Sequence, residues 1–165
     1  MELIQAISLQ SSSSTIAFAG IPNTFQKLYL FASLRNDSSA SSSPALMVAM
    51  SSTSNYNTSY RETGSSNVNS GNYNNKVNWQ DMYGGVISDV KSSNSFGAFY
   101  MSVNNYADTT ETTMIAQGTS NSSESTNTVG VYGGIINDQS AQNAITLSVS
   151  NGNFKTGCLV ALYGA

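Results

Sequence analysis

Apolar and small polar residues alternate with a period of two along most of this chain, and no long stretch places apolar side chains at the three- and four-residue spacing of a helix. The plainest case is Ala144 to Ser150. There Ile145, Leu147 and Val149 alternate with Thr146 and Ser148, an Asn151-Gly152-Asn153 turn follows, and Leu159 to Tyr163 resumes as a last strand. A period of two puts every second side chain on the same face of an extended strand, so a chain built this way buries its apolar residues by packing sheets together. The chain is expected to close on a buried hairpin strand with no tail after it.

The same pattern marks Leu3 to Leu9, Thr15 to Ala19, Phe25 to Arg35, Ala45 to Met50, Gly84 to Val90, Phe96 to Val103, Thr112 to Gln117 and Val129 to Ile136. Turns rich in Ser, Asn and Gly separate these segments, and residues that favour helices, such as Glu, Lys and Arg, are scarce. The expected fold is all-β: a jelly-roll-like antiparallel β-sandwich, one domain spanning residues 1–165. Residues 1–9 are a candidate N-terminal docking strand or arm, because a terminal segment can add to the edge of a partner's sheet.

Between Ser51 and Asn78 the alternation fades into Asn, Ser and Gly. So long a structureless loop is unusual in a compact domain and points to a functional excursion or to short strands hidden by the composition; a mixture is expected, with Tyr56 to Tyr60 a short strand. The stretch and its end hold the aromatic constellation Tyr56, Tyr60, Tyr73 and Trp79. Flat rings among amide and hydroxyl groups suit sugar stacking or a protein interface, while the plainer reading has half of them filling the sandwich. A short echo, Tyr83-Gly84-Gly85-Val86-Ile87-Ser88-Asp89 against Tyr132-Gly133-Gly134-Ile135-Ile136-Asn137-Asp138, predicts two hairpins in comparable places.

Charge and reactive groups narrow the function. Charged residues make up 9% of the chain, where a typical soluble domain carries about 25%. The six Lys and Arg are scattered singly in a chain of net charge −3, so no basic stripe is available for a phosphate backbone and nucleic-acid binding is not expected. No apolar run approaches the length of a membrane span, and Glu2 stands where a secretory leader would carry Lys or Arg. With no His and a single Cys158, the His-dependent nucleophile arrangements and a Cys/His zinc site are excluded.

Asp81, Asp89, Asp108, Glu111, Glu124 and Asp138 lie in no recognisable acid/base context and read as solvated turn residues. Cys158, between Gly157 and Leu159, reads as a small buried hydrophobe. No catalytic residue, cofactor site or metal site is expected. The triplets beginning at Asn36, Asn57 and Asn121 match a glycosylation acceptor but follow from a composition in which Ser, Asn and Thr exceed a third of the chain.

The two ends carry a set of words in a fixed order. Near the start come Thr15 to Ala19, the Gly20-Ile21-Pro22-Asn23 turn, Phe25, the strand Leu28-Tyr29-Leu30 and Ser33-Leu34-Arg35, followed by Ser54-Asn55-Tyr56-Asn57. Near the end come Ala144-Ile145-Thr146, Gly152-Asn153-Phe154, Gly157 and Leu162-Tyr163-Gly164-Ala165. This set resembles a family of tailed-bacteriophage virion proteins, stand-alone capsid decoration or cement proteins and tail-fibre tips, over about half of the chain. Cys158 stands where that family has a hydroxyl residue, Ala165 where it has Ile, and Tyr56 lacks the family's Asn-Gly-Asp lead-in.

The resemblance implies a non-enzymatic β-rich structural protein that forms homotrimers on a virion. With Met1 directly before the domain and no shaft, a capsid decoration protein on the outer capsid surface, bound to the major capsid protein, is expected. A tail-associated module binding a receptor or host surface glycan is the alternative.

Overall fold

A computed structural model of the chain describes residues 1–38, 44–51, 56–63, 68–76, 79–82, 86–87, 95–123, 126–137 and 140–165. They form strands and no helix: β1 (Glu2–Ser8), β2 (Thr15–Ala19), β3 (Lys27–Arg35), β4 (Leu46–Met50), β5 (Tyr56–Thr63), β6 (Val68–Lys76), β7 (Trp79–Met82), β8 (Val86–Ile87), β9 (Gly97–Asn104), β10 (Thr112–Ser123), β11 (Thr126–Ile136), β12 (Ala144–Val149) and β13 (Leu159–Gly164). A large sheet runs β1-β13-β3-β9-β10-β11-β5-β6, and a small one runs β2-β12-β4-β7. Pairing is antiparallel throughout, apart from β8, which lies parallel to β3 at Leu34 and Arg35.

The expected antiparallel β-sandwich is therefore present, and its two layers are unequal. Alternation fixes which residues meet between them. β2 buries Ile16 and Phe18, β4 buries Leu46, Val48 and Met50, and β12 buries Ile145, Leu147 and Val149. From the large sheet Leu28 and Leu30, Met101 and Val103, Met114 and Ala116, Tyr132 and Ile136, and Val160 and Leu162 complete one continuous core. Full burial of a Leu, Ile, Val, Phe or Met side chain is worth about 1.5–3 kcal/mol, so this shared layer is the main force joining the sheets.

The words at the two ends of the chain meet in space. β13 inserts between β1 and β3, with Leu159 opposite Ser33 and Gly164 opposite Leu28. Ala144-Ile145-Thr146 pairs with Ala17–Ala19, and Ile21 N–H donates to Asn143 O. Phe154, fully buried, bridges to both Ser13 and Asn36. Asp37 receives the Asn153 N–H at 2.7 Å, and it crowds the position a Cβ on Gly152 would take. Gly152 has φ +77°, so both its backbone and its surroundings require glycine in this turn.

The short strands expected in the polar stretch are present as β5 and β6, with β7 directly after it, where Asn, Ser and Gly carry no apolar alternation. Residues 1–9, the candidate docking strand or arm, hold the edge strand of the large sheet: β1 is hydrogen-bonded along β13, and Leu9 exchanges backbone hydrogen bonds with Gly157 and Cys158. The sequence echo does not mark equivalent places: Val86–Ile87 lies parallel beside β3, while Tyr132–Ile136 lies within antiparallel β11. Tyr83 to Gly85, Ser88 to Val90 and Asp138 lie outside the described residues.

Candidate interaction surface

The four aromatic residues singled out from sequence do not form one site. Tyr56 is fully buried, and its hydroxyl accepts the Met50 N–H at 2.8 Å, tying β5 to the end of β4. Tyr60 and Tyr73 sit on neighbouring strands β5 and β6, half-buried and stacked with ring centroids 5.4 Å apart. Trp79 lies in β7 opposite Val48, and its side chain is outside the described residues. Of the carboxylates, Asp108 and Glu111 sit in or beside the turn before β10, and the structure describes no side chain for Asp81, Asp89, Glu124 or Asp138.

A buried carboxylate escaped the sequence reading. Glu62, on the inner face of β5, accepts the Tyr132 hydroxyl at 2.8 Å inside the sandwich. Cys158 is fully buried as expected and also does polar work. Its sulfur accepts the Arg35 N–H and its thiol donates to Arg35 O, both at 3.2 Å. Burial pushes this thiol's pKa up, against a partial opposing pull from the Arg35 and Lys155 backbone and the Arg35 charge. Burial also raises the Tyr106 phenol, whose hydroxyl donates to Pro22 O.

The most distinctive surface is the outward face of the large sheet. Strand register arranges its side chains in rows running across the strands. One row reads Ala161, Phe31, Tyr100, Gln117, Val131 and Arg61 from β13 to β5. The row on one side reads Leu159, Ser33, Ala98, Thr119 and Val129, and on the other Tyr163, Tyr29, Ser102, Ile115 and Gly133. Five of these apolar residues are far from buried: Phe31 is 41% exposed, Leu159 and Val129 49%, Val131 53% and Ile115 60%.

The small residues Ser33 and Ala98 form the floor of a shallow groove of about 610 Å³, walled by Phe31, Tyr100, Leu159 and Val131. Beside it stands an aromatic cluster. The Phe31 ring lies 5.2 Å from Tyr100 and edge-on to Tyr163 at 5.8 Å, and Tyr29 stacks on Tyr100 at 6.4 Å. The outward face of the small sheet is different in kind, carrying Thr15, Ala17 and Ala19 on β2 and Thr146 and Ser148 on β12.

The sequence carried a signal for this face. Leu28-Tyr29-Leu30-Phe31 and Leu159-Val160-Ala161-Leu162-Tyr163 are apolar on both sides of the strand, the mark of a strand covered on two faces. Among the described residues no group of three or more metal-ligating side chains comes together, and no helix is long and apolar enough to cross a membrane. Comparison with protein-family models, with curated proteins and with solved structures finds no match.

Proposed function

We propose that this chain is a non-enzymatic structural protein of a tailed-phage virion, a capsid decoration protein that binds the major capsid protein as a homotrimer and stabilises the head. The observation that carries this reading is the meeting of the two chain ends. The words that resemble the phage family lie more than a hundred residues apart, and they pair strand to strand around Phe154 and Cys158. Scattered chance matches have no reason to contact one another, whereas the framework of a shared fold does.

The departure at Cys158 fits that framework. At Cys158 the thiol donates to and accepts from the Arg35 backbone, as a hydroxyl would. A surface rich in uncharged hydrogen-bonding groups also suits a wet interface repeated over a shell. The test is the copy number of the chain relative to the major capsid protein in purified particles, read by quantitative mass spectrometry. Hundreds of copies are expected for a decoration protein; a handful would move the protein to the tail.

The stacked Tyr60–Tyr73 pair favours the second reading, a tail module that binds a receptor or host glycan, because two half-buried flat rings on neighbouring strands offer a stacking platform. A glycan array with purified protein separates the two readings. Saturable binding lost in Tyr73→Ala would establish the tail module.

A further inference from the structure

The geometry points to the outward face of the large sheet as the seat of a second copy of this chain. This inference rests on the homotrimeric reading above and names the surface that would make it. Single exposed apolar residues need no explanation, but Phe31, Ile115, Val131 and Leu159 lie on one continuous sheet face together with Tyr29, Tyr100 and Tyr163.

Three features select a second copy as the occupant. First, β13, β9, β10 and β11 contain no charged residue, and the charges of this face, Lys27 and Arg61, stand at its margins. A charged partner would lose its solvation there and gain no opposite charge. Second, the polar groups among the rows are Gln117, Ser33, Ser102, Thr119 and the tyrosine hydroxyls. Each can both donate and accept a hydrogen bond, so the face can satisfy a copy of itself. A row of small residues also lies beside rows of large ones, giving the face a groove and the ridge to fill one.

Third, the area fits. At about 4.8 Å between strands and about 6.7 Å between successive outward side chains, five to seven strands and three to four rows cover about 500–900 Å² per copy. The whole face is comparable to the roughly 800 Å² that a standard-size interface takes from each partner, and in a trimer it is shared between two neighbours. Three copies with these faces turned toward a common axis would bury each face against its two neighbours and leave the small sheets outward.

Sedimentation equilibrium of the full chain tests this. The wild type is expected at three times the 17.4 kDa of one chain. Val131→Glu and Ile115→Lys, both on the exposed face, are expected at the mass of one chain with unchanged far-ultraviolet circular dichroism. Ala17→Glu, on the outward face of the small sheet, is expected to keep the wild-type mass. A wild type that stays monomeric at every concentration reached, or face variants that keep the wild-type mass, would overturn the inference.

Hydroxyl-radical footprinting of the wild type needs no variant. Tyr29, Tyr100 and Tyr163 are expected to be oxidised several-fold faster on dilution, and equal rates would overturn the inference. Co-sedimentation with capsids reports separately on the virion reading. Self-association lost in the face variants, without capsid binding, upholds this face and sinks the decoration role; capsid binding by a monomeric wild type sinks this face and leaves capsid attachment standing.

Discussion

Cys158 and Gly164 show how single residues hold the ends together. The Cys158 thiol spans the Arg35 N–H and C=O inside the core. Cys158→Ser keeps a donor and an acceptor there and is expected to cost under about 1 kcal/mol, whereas Cys158→Val leaves the Arg35 N–H buried without that partner and costs about 1–3 kcal/mol. Urea midpoints of the two variants check this. The raised thiol pKa also predicts a pH dependence. Above about pH 8.5 the unfolded chain loses the thiol proton while the folded chain keeps it, so stability falls as pH rises further. That slope should be shallower in Cys158→Ser. At Gly164 an added Cβ would lie 2.3 Å from the Phe25 ring. Gly164→Ala must displace that ring, and a loss of about 1–3 kcal/mol in the same assay is expected.

Among the elements, β13 and β1 bear most on the architecture. β13 lies between β1 and β3 and buries Cys158, Val160 and Leu162 at its start and along its inner face, so removing it would unpair two strands at once. β1 is an edge strand whose Ile4 and Ile7, with Leu9 just beyond, pack on the core. Deleting residues 1–9 should therefore lower the melting temperature by several degrees, at about 2–4 °C per kcal/mol for a chain of this size. It would also bare the β13 edge to solvent or to another chain. An unchanged melting temperature would show that β1 contributes no stability to the fold. The Tyr60–Tyr73 stack holds β6, the far edge of the large sheet, onto β5.

At the scale of the whole molecule, strands distant in sequence close both sheets: β2 pairs with β12, and β3 with β13. Such non-local pairing predicts refolding in milliseconds to seconds, which stopped-flow fluorescence would read. The local period of two was enough to assign strands and inward faces, since Ile145, Leu147 and Val149 could be placed on one side from their spacing alone. Composition was enough to remove His-dependent catalysis, because a missing side chain is missing in any fold. Partner and register were another matter. Many apolar strands of similar length can pair, and loop-closure entropy changes too slowly with length to choose among them. Only the tertiary structure put Phe154 between Ser13 and Asn36, sent Tyr56 into the core, and set Phe31, Tyr100 and Val131 in one row. Alternation says which side chains share a face of their own strand; what covers that face depends on which strands lie beside and above it.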